Sequence, residues 1–145
     1  MTTDGQTVRL EICSAIEMLD PVEAVVDQIG RRIGFDEETR HWVGMAVRES
    51  VINAIKHGNE ENPRKVVFIE LTTIPSADPR QLAVCVRDQG RGFDFGAVAD
   101  PLALENRLKS TGRGILFMRS FMDEVSIERG REGGTEVRMV KYVRR

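Results

Sequence analysis

An acid, an amide and an imidazole recur at four-residue spacing in one stretch of the sequence. Glu49, Asn53 and His57 are spaced i, i+4 and i+8, which places their side chains above one another on one face of an α-helix. A carboxylate can act as a general base, and an amide oxygen can bind a hard divalent cation. This face could hold a ligand, or it could be a solvated surface, since most charged helix faces are only that.

The opposite face of the same helix is apolar. Its residues follow the i, i+3, i+4 rhythm of a helix packed on a core, and they are Val43, Ala46, Val47, Val51, Ala54 and Ile55. The helix therefore has one face that stabilises the domain and another that is available for chemistry.

A second motif places a carboxylate beside two glycines. Asp88 ends an apolar, strand-like run and is followed by Gly90 and Gly92. Glycines let the backbone come close to a flat ligand while the acid accepts hydrogen bonds from it. The same residues could equally form a plain turn.

A third motif, Gly112-Arg113-Gly114, opens an apolar helix. Free backbone N–H groups and the positive end of the helix dipole favour an anion such as phosphate at this position, although glycines also serve simply to enter a helix. No glycine triad of Rossmann spacing follows the first strand, and no Walker-type Gly-Lys-Ser/Thr occurs. The ordinary nucleotide-binding folds are therefore disfavoured.

Hydrophobic periodicity gives the elements that must position these motifs. Period-two alternation and strand-forming composition predict strands at residues 7–13, 65–73, 81–87, 124–128 and 135–142. Helical patterns cover residues 21–33, 42–55 and 115–122, and residues 95–111 are interpreted as a mobile loop with a short helical turn near 102–108. Because the strands come mostly in hairpin pairs, we expect an α+β fold: a two-layer sandwich with a mixed, mostly antiparallel sheet covered on one face by helices.

Four helix boundaries carry specific signals. Asp20 is predicted to cap the first helix with Pro21 at its first position, and Gly34 to end that helix. Asp36 is predicted to cap the second helix, and the dipeptide 58–59 to end it as a left-handed terminator.

Composition limits the class of protein. The 145 residues predict a single domain, 41% apolar and 30% charged residues are ordinary for a globular protein, and a net charge of −2 gives no sign of nucleic-acid binding. No apolar run long enough for a membrane span and no secretory signal occur, so we expect a cytoplasmic protein. Cys13 and Cys85 lie in apolar runs and are predicted to be buried free thiols, and scattered His and Cys residues disfavour a zinc site.

Taken together, four motifs occur in an order that resembles the GHKL (Bergerat-fold) ATPases. They are E-x3-N-x3-H-G at residues 49–58, D-x-G-x-G at 88–92, G-x-G at 112–114 and G-G-T at 133–135. Within that family the chain is most similar to the small serine-protein kinases that act as anti-sigma factors, which share the compact length, the Asn-Ala-x-x-His-Gly run and a phrase like that at residues 120–123. The resemblance extends from about residue 12 to residue 142.

The resemblance implies roles for the polar helix face. Asn53 would coordinate the Mg²⁺ that bridges the ATP phosphates, and Glu49 would be the general base that accepts the proton of an attacking hydroxyl. His57 is interpreted as a residue that finishes the helix rather than as a catalytic group. It is not expected to be the phosphoacceptor of a sensor histidine kinase, since that acceptor lies on a separate dimerising helix.

The resemblance also implies how the rest of the nucleotide would be bound. Asp88 would accept a hydrogen bond from the adenine amino group, in a base pocket that includes Gly90, Gly92 and Thr135. The segment 95–111 would be a lid that orders when nucleotide binds. Phosphates would be wrapped by the backbone at Gly112, Arg113 and Gly114.

One position departs from the pattern. This chain has Ser110 directly before Thr111 and Gly112, whereas some members of the anti-sigma group place an arginine near there to meet the terminal phosphate, so Arg107, Lys109 or Arg113 would have to serve.

The function implied is an ATP- and Mg²⁺-dependent serine/threonine protein kinase that acts as an anti-sigma factor. It would phosphorylate an anti-anti-sigma partner and sequester a sigma factor when that partner is phosphorylated. Two alternatives stay open: a regulatory module that binds ATP and controls a partner without phosphoryl transfer, and a weak ATPase that serves another regulator. The group also implies a homodimer, formed through the open face of the sheet.

Overall fold

Five strands form one antiparallel sheet in the computed structural model, which describes residues 4–90, 112–131 and 133–144. They are β1 (Gln6–Cys13), β2 (Val66–Ile74), β3 (Gln81–Arg87), β4 (Glu124–Arg129) and β5 (Thr135–Tyr142), in the spatial order β1-β2-β3-β5-β4. All four neighbouring pairs are antiparallel. The α+β class and the mostly antiparallel sheet are confirmed. The described strands include no parallel pair, so this part of the sheet is antiparallel throughout and not mixed.

Three α-helices accompany the sheet in this part of the chain. They are α1 (Leu19–Ile33), α2 (Glu37–Asn53) and α3 (Gly112–Phe121); a short 3₁₀ turn, Ile16–Met18, precedes α1, and a π-helical turn, Ala54–Gly58, continues α2. Of the helices described, none is long and apolar enough to span a bilayer.

One apolar core lies between the helices and one face of the sheet. Alternate strand residues point into it, in register across the sheet, as in the row Leu10, Ile69, Val86, Val137 and Ile127. The predicted apolar face of α2 is confirmed, since all six of its residues are at most 5% exposed. Burial of each large apolar side chain stabilises the fold by roughly 1.5–3 kcal/mol, and this packing fixes which face of α2 is turned away from the core.

The other face of the sheet is polar and carries both cysteines. Cys13 is exposed, so its predicted burial is wrong: Leu10 and Ile12 point inward, and the strand alternation turns Cys13 outward. Cys85 is half-buried and its thiol donates to Glu136 Oε1 at 3.1 Å. Burial first, and then this carboxylate, raise the pKa of Cys85 to about 12.

The helix boundaries agree with the sequence at two of four positions. Asp36 caps α2, where its side chain accepts the Thr39 N–H, and Gly34 ends α1 with φ +97°. Asp20 is the second residue of α1 and not its cap, because the preceding 3₁₀ turn leads into the helix through Met18 without a side-chain cap. Its carboxylate still favours the positive end of the helix dipole.

The end of the second helix also differs from the expectation. Asn59 has right-handed dihedrals, φ −89° and ψ −5°, and the left-handed conformation falls on Glu60 and Glu61, with φ values of 53° and 55°. The π-helical turn adds a residue to the last coil. The chain therefore reverses after Asn59 and not at Gly58.

Candidate functional site

Glu49 and Asn53 lie one turn apart on the polar face of α2. Asn53, the last residue of α2, is 8% exposed, and Glu49 one turn earlier is half-buried. The side-chain oxygen Oδ1 of Asn53 is buried and has no hydrogen-bond partner among the described residues. Buried polar atoms are nearly always paired, so this oxygen is suited to a ligand or a cation. An amide oxygen is among the ligands that Mg²⁺ takes in proteins.

Glu49 opens on a small apolar cavity between α2 and α3. The cavity has a volume of about 130 Å³ and is lined by Met45, Glu49, Gly114 and Phe117. A Cβ atom on Gly114 would lie 2.9 Å from Glu49 Oε2. The absence of a side chain at Gly114 therefore lets the first turn of α3 approach the carboxylate.

His57 does not continue the stripe as the α-helical spacing predicts. It lies in the π-helical turn, whose coil is wider than that of an α-helix, and it is exposed while Asn53 is buried. The structure brings together Glu49 and Asn53, and it leaves His57 at the end of the helix, in agreement with its interpretation as a helix-finishing residue.

Asp88 is a buried carboxylate held by backbone groups. It is 5% exposed, and its Oδ1 accepts the N–H of Gly90 at 2.9 Å and the N–H of Thr135 at 3.1 Å. Burial raises the pKa of Asp88, and the two backbone hydrogen bonds and Lys65 act against that rise. In the described part of the chain both donors meet Oδ1, which leaves Oδ2 as an acceptor for a ligand.

Three glycines from separate segments close around this carboxylate. A Cβ atom on Gly58 would overlap Asp88 Oδ2, one on Gly90 would overlap the Gly58 carbonyl, and one on Gly134, which has φ +74°, would overlap the Asp88 carbonyl. The end of the π-helical turn, the segment after β3 and the start of β5 therefore meet at Asp88. Only glycine allows this approach.

The glycine contacts revise two sequence interpretations. The sequence assigns Gly58 to the end of a helix, and the structure also places it directly against Asp88 Oδ2. Gly90 makes room for the Gly58 carbonyl as well as for any ligand. The signal in the sequence was the recurrence of glycine in three of the motifs, but their convergence on Asp88 is a tertiary contact that spacing does not reveal.

Thr135 belongs to the same cluster through its backbone. It is 9% exposed, its N–H donates to Asp88 Oδ1, and its carbonyl accepts the Asp88 N–H at 3.1 Å. Gly112 and Gly114 lie at the start of α3, as predicted. Gly92, the segment 95–111 with Arg107, Lys109 and Ser110, and the side chain of Arg113 lie outside the described residues.

Comparison with known proteins gives one family and a consistent set of relatives. The family described as "Histidine kinase-like ATPase domain" matches residues 12–141. An anti-sigma F factor of Bacillus subtilis (strain 168) is 33% identical over 137 residues, which cover 93% of this chain and 82% of that protein. An anti-sigma F factor of Heyndrickxia coagulans is 31% identical over the same shares.

Solved structures show a similar fold. The RsbU and RsbW domains of Rv1364c from Mycobacterium tuberculosis match with a TM-score of 0.65 at 20% identity, over 97% of this chain and 33% of that one. The histidine kinase domain of a blue-light activated kinase from Erythrobacter litoralis matches with a TM-score of 0.50 at 19% identity, over 90% of this chain and 61% of that one. This chain thus spans about a third and about three-fifths of those two chains.

Proposed function

The chain belongs to the histidine kinase-like ATPase domain family, and from that premise we propose that it is an anti-sigma factor with Mg²⁺- and ATP-dependent serine/threonine kinase activity. Membership of an ATPase domain family implies ATP binding. The observation that carries the kinase proposal is the position of half-buried Glu49 one helical turn before the buried Oδ1 of Asn53, which has no hydrogen-bond partner among the residues that the structure describes. A protein that only binds nucleotide has no need of a base at that position.

Each end of the nucleotide has its own residues in this proposal. Asp88 Oδ2 accepts a hydrogen bond from the adenine amino group, in a pocket whose width is set by Gly58, Gly90 and Gly134. Asn53 Oδ1 fits Mg²⁺, because a neutral oxygen that receives no hydrogen bond from the described part of the chain can join the few protein ligands that this ion takes.

The kinase step would use Glu49 as its base. Bound Mg-ATP supplies the phosphoryl group, and positioning with charge stabilisation provides most of the catalysis in such transfers. Glu49 would accept the proton of a serine or threonine hydroxyl as that oxygen bonds to the γ-phosphorus, while the bond between this phosphorus and the bridging oxygen breaks and ADP leaves. The cavity beside Gly114 and Phe117 gives the acceptor residue access to the Glu49 carboxylate.

The partners are proposed from the relatives. The curated relatives are named anti-sigma F factors, and by analogy this chain would bind a sigma factor and an anti-anti-sigma protein, the second being the substrate. We also propose a homodimer formed through the open sheet face, which light scattering of the purified protein tests. A monomer at micromolar concentration would contradict the dimer alone.

The experiment that tests the function uses the purified chain, Mg-ATP and an anti-anti-sigma protein captured with it from its own cells. Mass spectrometry of the captured protein should show one phosphate on a serine or threonine. Nucleotide-dependent binding without a phosphorylated product would overturn the kinase proposal in favour of a regulatory binding module. ATP consumption without a phosphoprotein would instead favour a weak ATPase.

A further inference from the structure

Asn59 is a fully buried polar residue to which the sequence motifs assign no role in ligand binding. It follows the π-helical turn that continues α2 and is 0% exposed. An amide side chain at this depth needs partners for its donors and its acceptor. Those partners lie in three segments of the chain: just after β1, at the start of β2 and just after β3.

The Asn59 side chain joins the ends of three strands. Its Nδ2 donates to Ser14 Oγ, just after β1, and to the Val66 carbonyl at the start of β2, both at 2.9 Å. Its Oδ1 accepts the N–H of Gln89, two residues after β3, at 2.7 Å. The Val66 carbonyl can only accept and the Gln89 N–H can only donate, so the orientation of the amide is fixed by its neighbours.

A second set of hydrogen bonds closes the network. Gln89 Oε1 accepts the Val66 N–H at 2.8 Å, and Ser14 Oγ donates to the Lys65 carbonyl at 2.7 Å. Both backbone groups of Val66 are thus bound by the pair Asn59 and Gln89. The side chain of Gln89 thus ties the segment after β3 directly to the start of β2, and its backbone N–H does so through the side chain of Asn59.

The tied segment is the one that carries Asp88. The Gln89 N–H belongs to the peptide group that links Asp88 to Gln89, and the next N–H, that of Gly90, donates to Asp88 Oδ1. The Asp88 carbonyl, on the other side of that peptide group, lies against Gly134. Asn59 and Gly134 therefore hold this peptide group from both sides and fix the direction of the Asp88 carboxylate.

Asn59 also lies on the same continuous helical stretch as the residues of α2. Its N–H donates to the Ala54 carbonyl at 2.8 Å, and its carbonyl accepts the Asn62 N–H at 3.0 Å. Asn53 lies six residues earlier on this stretch. One side chain thus connects the helix that carries Asn53 to the segment that carries Asp88.

We propose that Asn59 is a positioning residue for adenine recognition, which fixes the Asp88 segment against the start of β2 and so sets the preference for ATP over other nucleotides. The inference rests on the proposed binding of ATP at Asp88. Guanine presents an acceptor where adenine presents its amino group, so a well-placed Asp88 carboxylate selects ATP over GTP. When Asn59 is lost, the Val66 carbonyl and the Gln89 N–H lose their partner, and that selection weakens.

The test is calorimetric titration of Mg-ATP and Mg-GTP into the wild type, Asn59→Ala and Asn62→Ala, below the melting temperature of each. We expect the Kd for ATP to rise about tenfold in Asn59→Ala, as loss of a buried partner predicts, and the ATP-to-GTP affinity ratio to fall towards one. Asn62→Ala is the matched control, since among the described residues Asn62 Oδ1 accepts only the nearby Arg64 N–H, at 2.9 Å. It should change both Kd values by no more than about twofold.

The outcomes separate this inference from the proposed function. A folded Asn59→Ala with an unchanged ATP-to-GTP ratio would overturn the inference alone, since a merely structural residue changes stability and not selectivity. A wild type that binds neither nucleotide would overturn the function on which the inference depends. If Asn59→Ala does not fold, Ser14→Ala decides: it removes one acceptor of Asn59 and should lower the ratio about threefold, and an unchanged ratio contradicts the inference.

Discussion

The two ends of the candidate site are built in opposite ways. At the end proposed to bind the base (the base end), which contains Asp88, Gly58, Gly90, Gly134 and Thr135, two backbone N–H groups bind the carboxylate and three glycines enclose it. At the end proposed to bind the phosphates (the phosphate end), which contains Glu49, Asn53 and Gly114, a buried amide oxygen has no partner in the described part of the chain.

The difference predicts that the two ends affect different measurements, nucleotide affinity at one end and phosphoryl transfer or Mg²⁺ dependence at the other. The end proposed for the base holds its carboxylate through two backbone N–H groups before any ligand is bound, so a change there should alter nucleotide affinity and the geometry of the pocket. The phosphate end retains polar atoms that a ligand must satisfy, so a change there should alter transfer or Mg²⁺ dependence and leave the fold intact.

The largest expected effect is on phosphoryl transfer at the phosphate end. Glu49→Gln keeps the shape of the side chain and removes the base, so the transfer rate should fall about 100- to 10,000-fold. Quench-flow measurement of phosphoryl transfer to the partner protein gives the rate. Calorimetry should give a Kd for Mg-ATP within about twofold of the wild type. Equal loss of binding and transfer would contradict the assigned division between the two ends.

At the base end, Asp88→Asn should lower ATP affinity about 100-fold, because an amide donor would face the adenine amino group where a charged acceptor stood.

The same variant tests the pKa of Asp88, which burial raises. A raised folded-state pKa stabilises the fold at pH below the ordinary pKa of 3.8, and that contribution is lost as pH rises through the folded-state pKa.

Thermal melts between acidic and neutral pH measure this contribution. The wild type should lose stability relative to Asp88→Asn as pH rises, so that at neutral pH the variant is at least as stable while it binds ATP poorly. A variant that is less stable than the wild type at neutral pH, with the difference growing as pH rises, would contradict the direction of the shift.

A methyl group placed in the glycine cluster should have a smaller effect. Gly58→Ala forces the new Cβ against Asp88 Oδ2, and the displaced carboxylate should cost about 30-fold in ATP affinity, the equivalent of about 2 kcal/mol of overpacking. Gly44→Ala is the matched control, because it adds the same group on α2, where the Cβ would meet no atom of the described residues within 4 Å apart from the backbone of its own helix. The control should bind ATP normally and be stabilised by about 0.5–1 kcal/mol in urea unfolding.

The smallest effect is expected at Asn53. Asn53→Ala should weaken Mg-ATP binding about tenfold, the value of one lost ligand, while affinity for ATP in the presence of EDTA stays unchanged. Stability should not fall, because the substitution removes a buried oxygen that has no partner in the described chain. Asn53→Asp, which keeps an oxygen ligand, should retain the Mg²⁺ effect, and its loss there would argue against direct coordination.

Local sequence signals predicted most of the fold. The predicted strand 81–87 has the bounds that the structure shows, and each end of β2 differs by one residue from the predicted strand 65–73. Both predictions rest on period-two patterns that Pro and Gly residues delimit. The same reasoning failed at Asp20, where a 3₁₀ turn leads into α1, and at Cys13, where the alternation of β1 itself points outward.

The site was predictable in part for a similar reason. Glu49 and Asn53 lie on one helix, so their spacing alone brings them together. Gly58, Gly134 and Asn59 act on Asp88 from segments far apart in sequence, and no local pattern encodes such contacts. The π-helical turn also shifted His57 away from the stripe that α-helical spacing predicts.

The most direct test of the account is an NMR titration of the isotope-labelled protein with ATP, first in EDTA and then with Mg²⁺. The amides of Gly90 and Thr135, already bound to Asp88 Oδ1, should be protected from exchange before any ligand is added. The side-chain amide of Asn53 should shift only when Mg²⁺ joins ATP. Rapid amide exchange at Gly90 and Thr135 in the free protein would contradict a base end that is formed before ligand binds. An Asn53 side-chain signal that does not change when Mg²⁺ is added would contradict a phosphate end that is completed by its ligand.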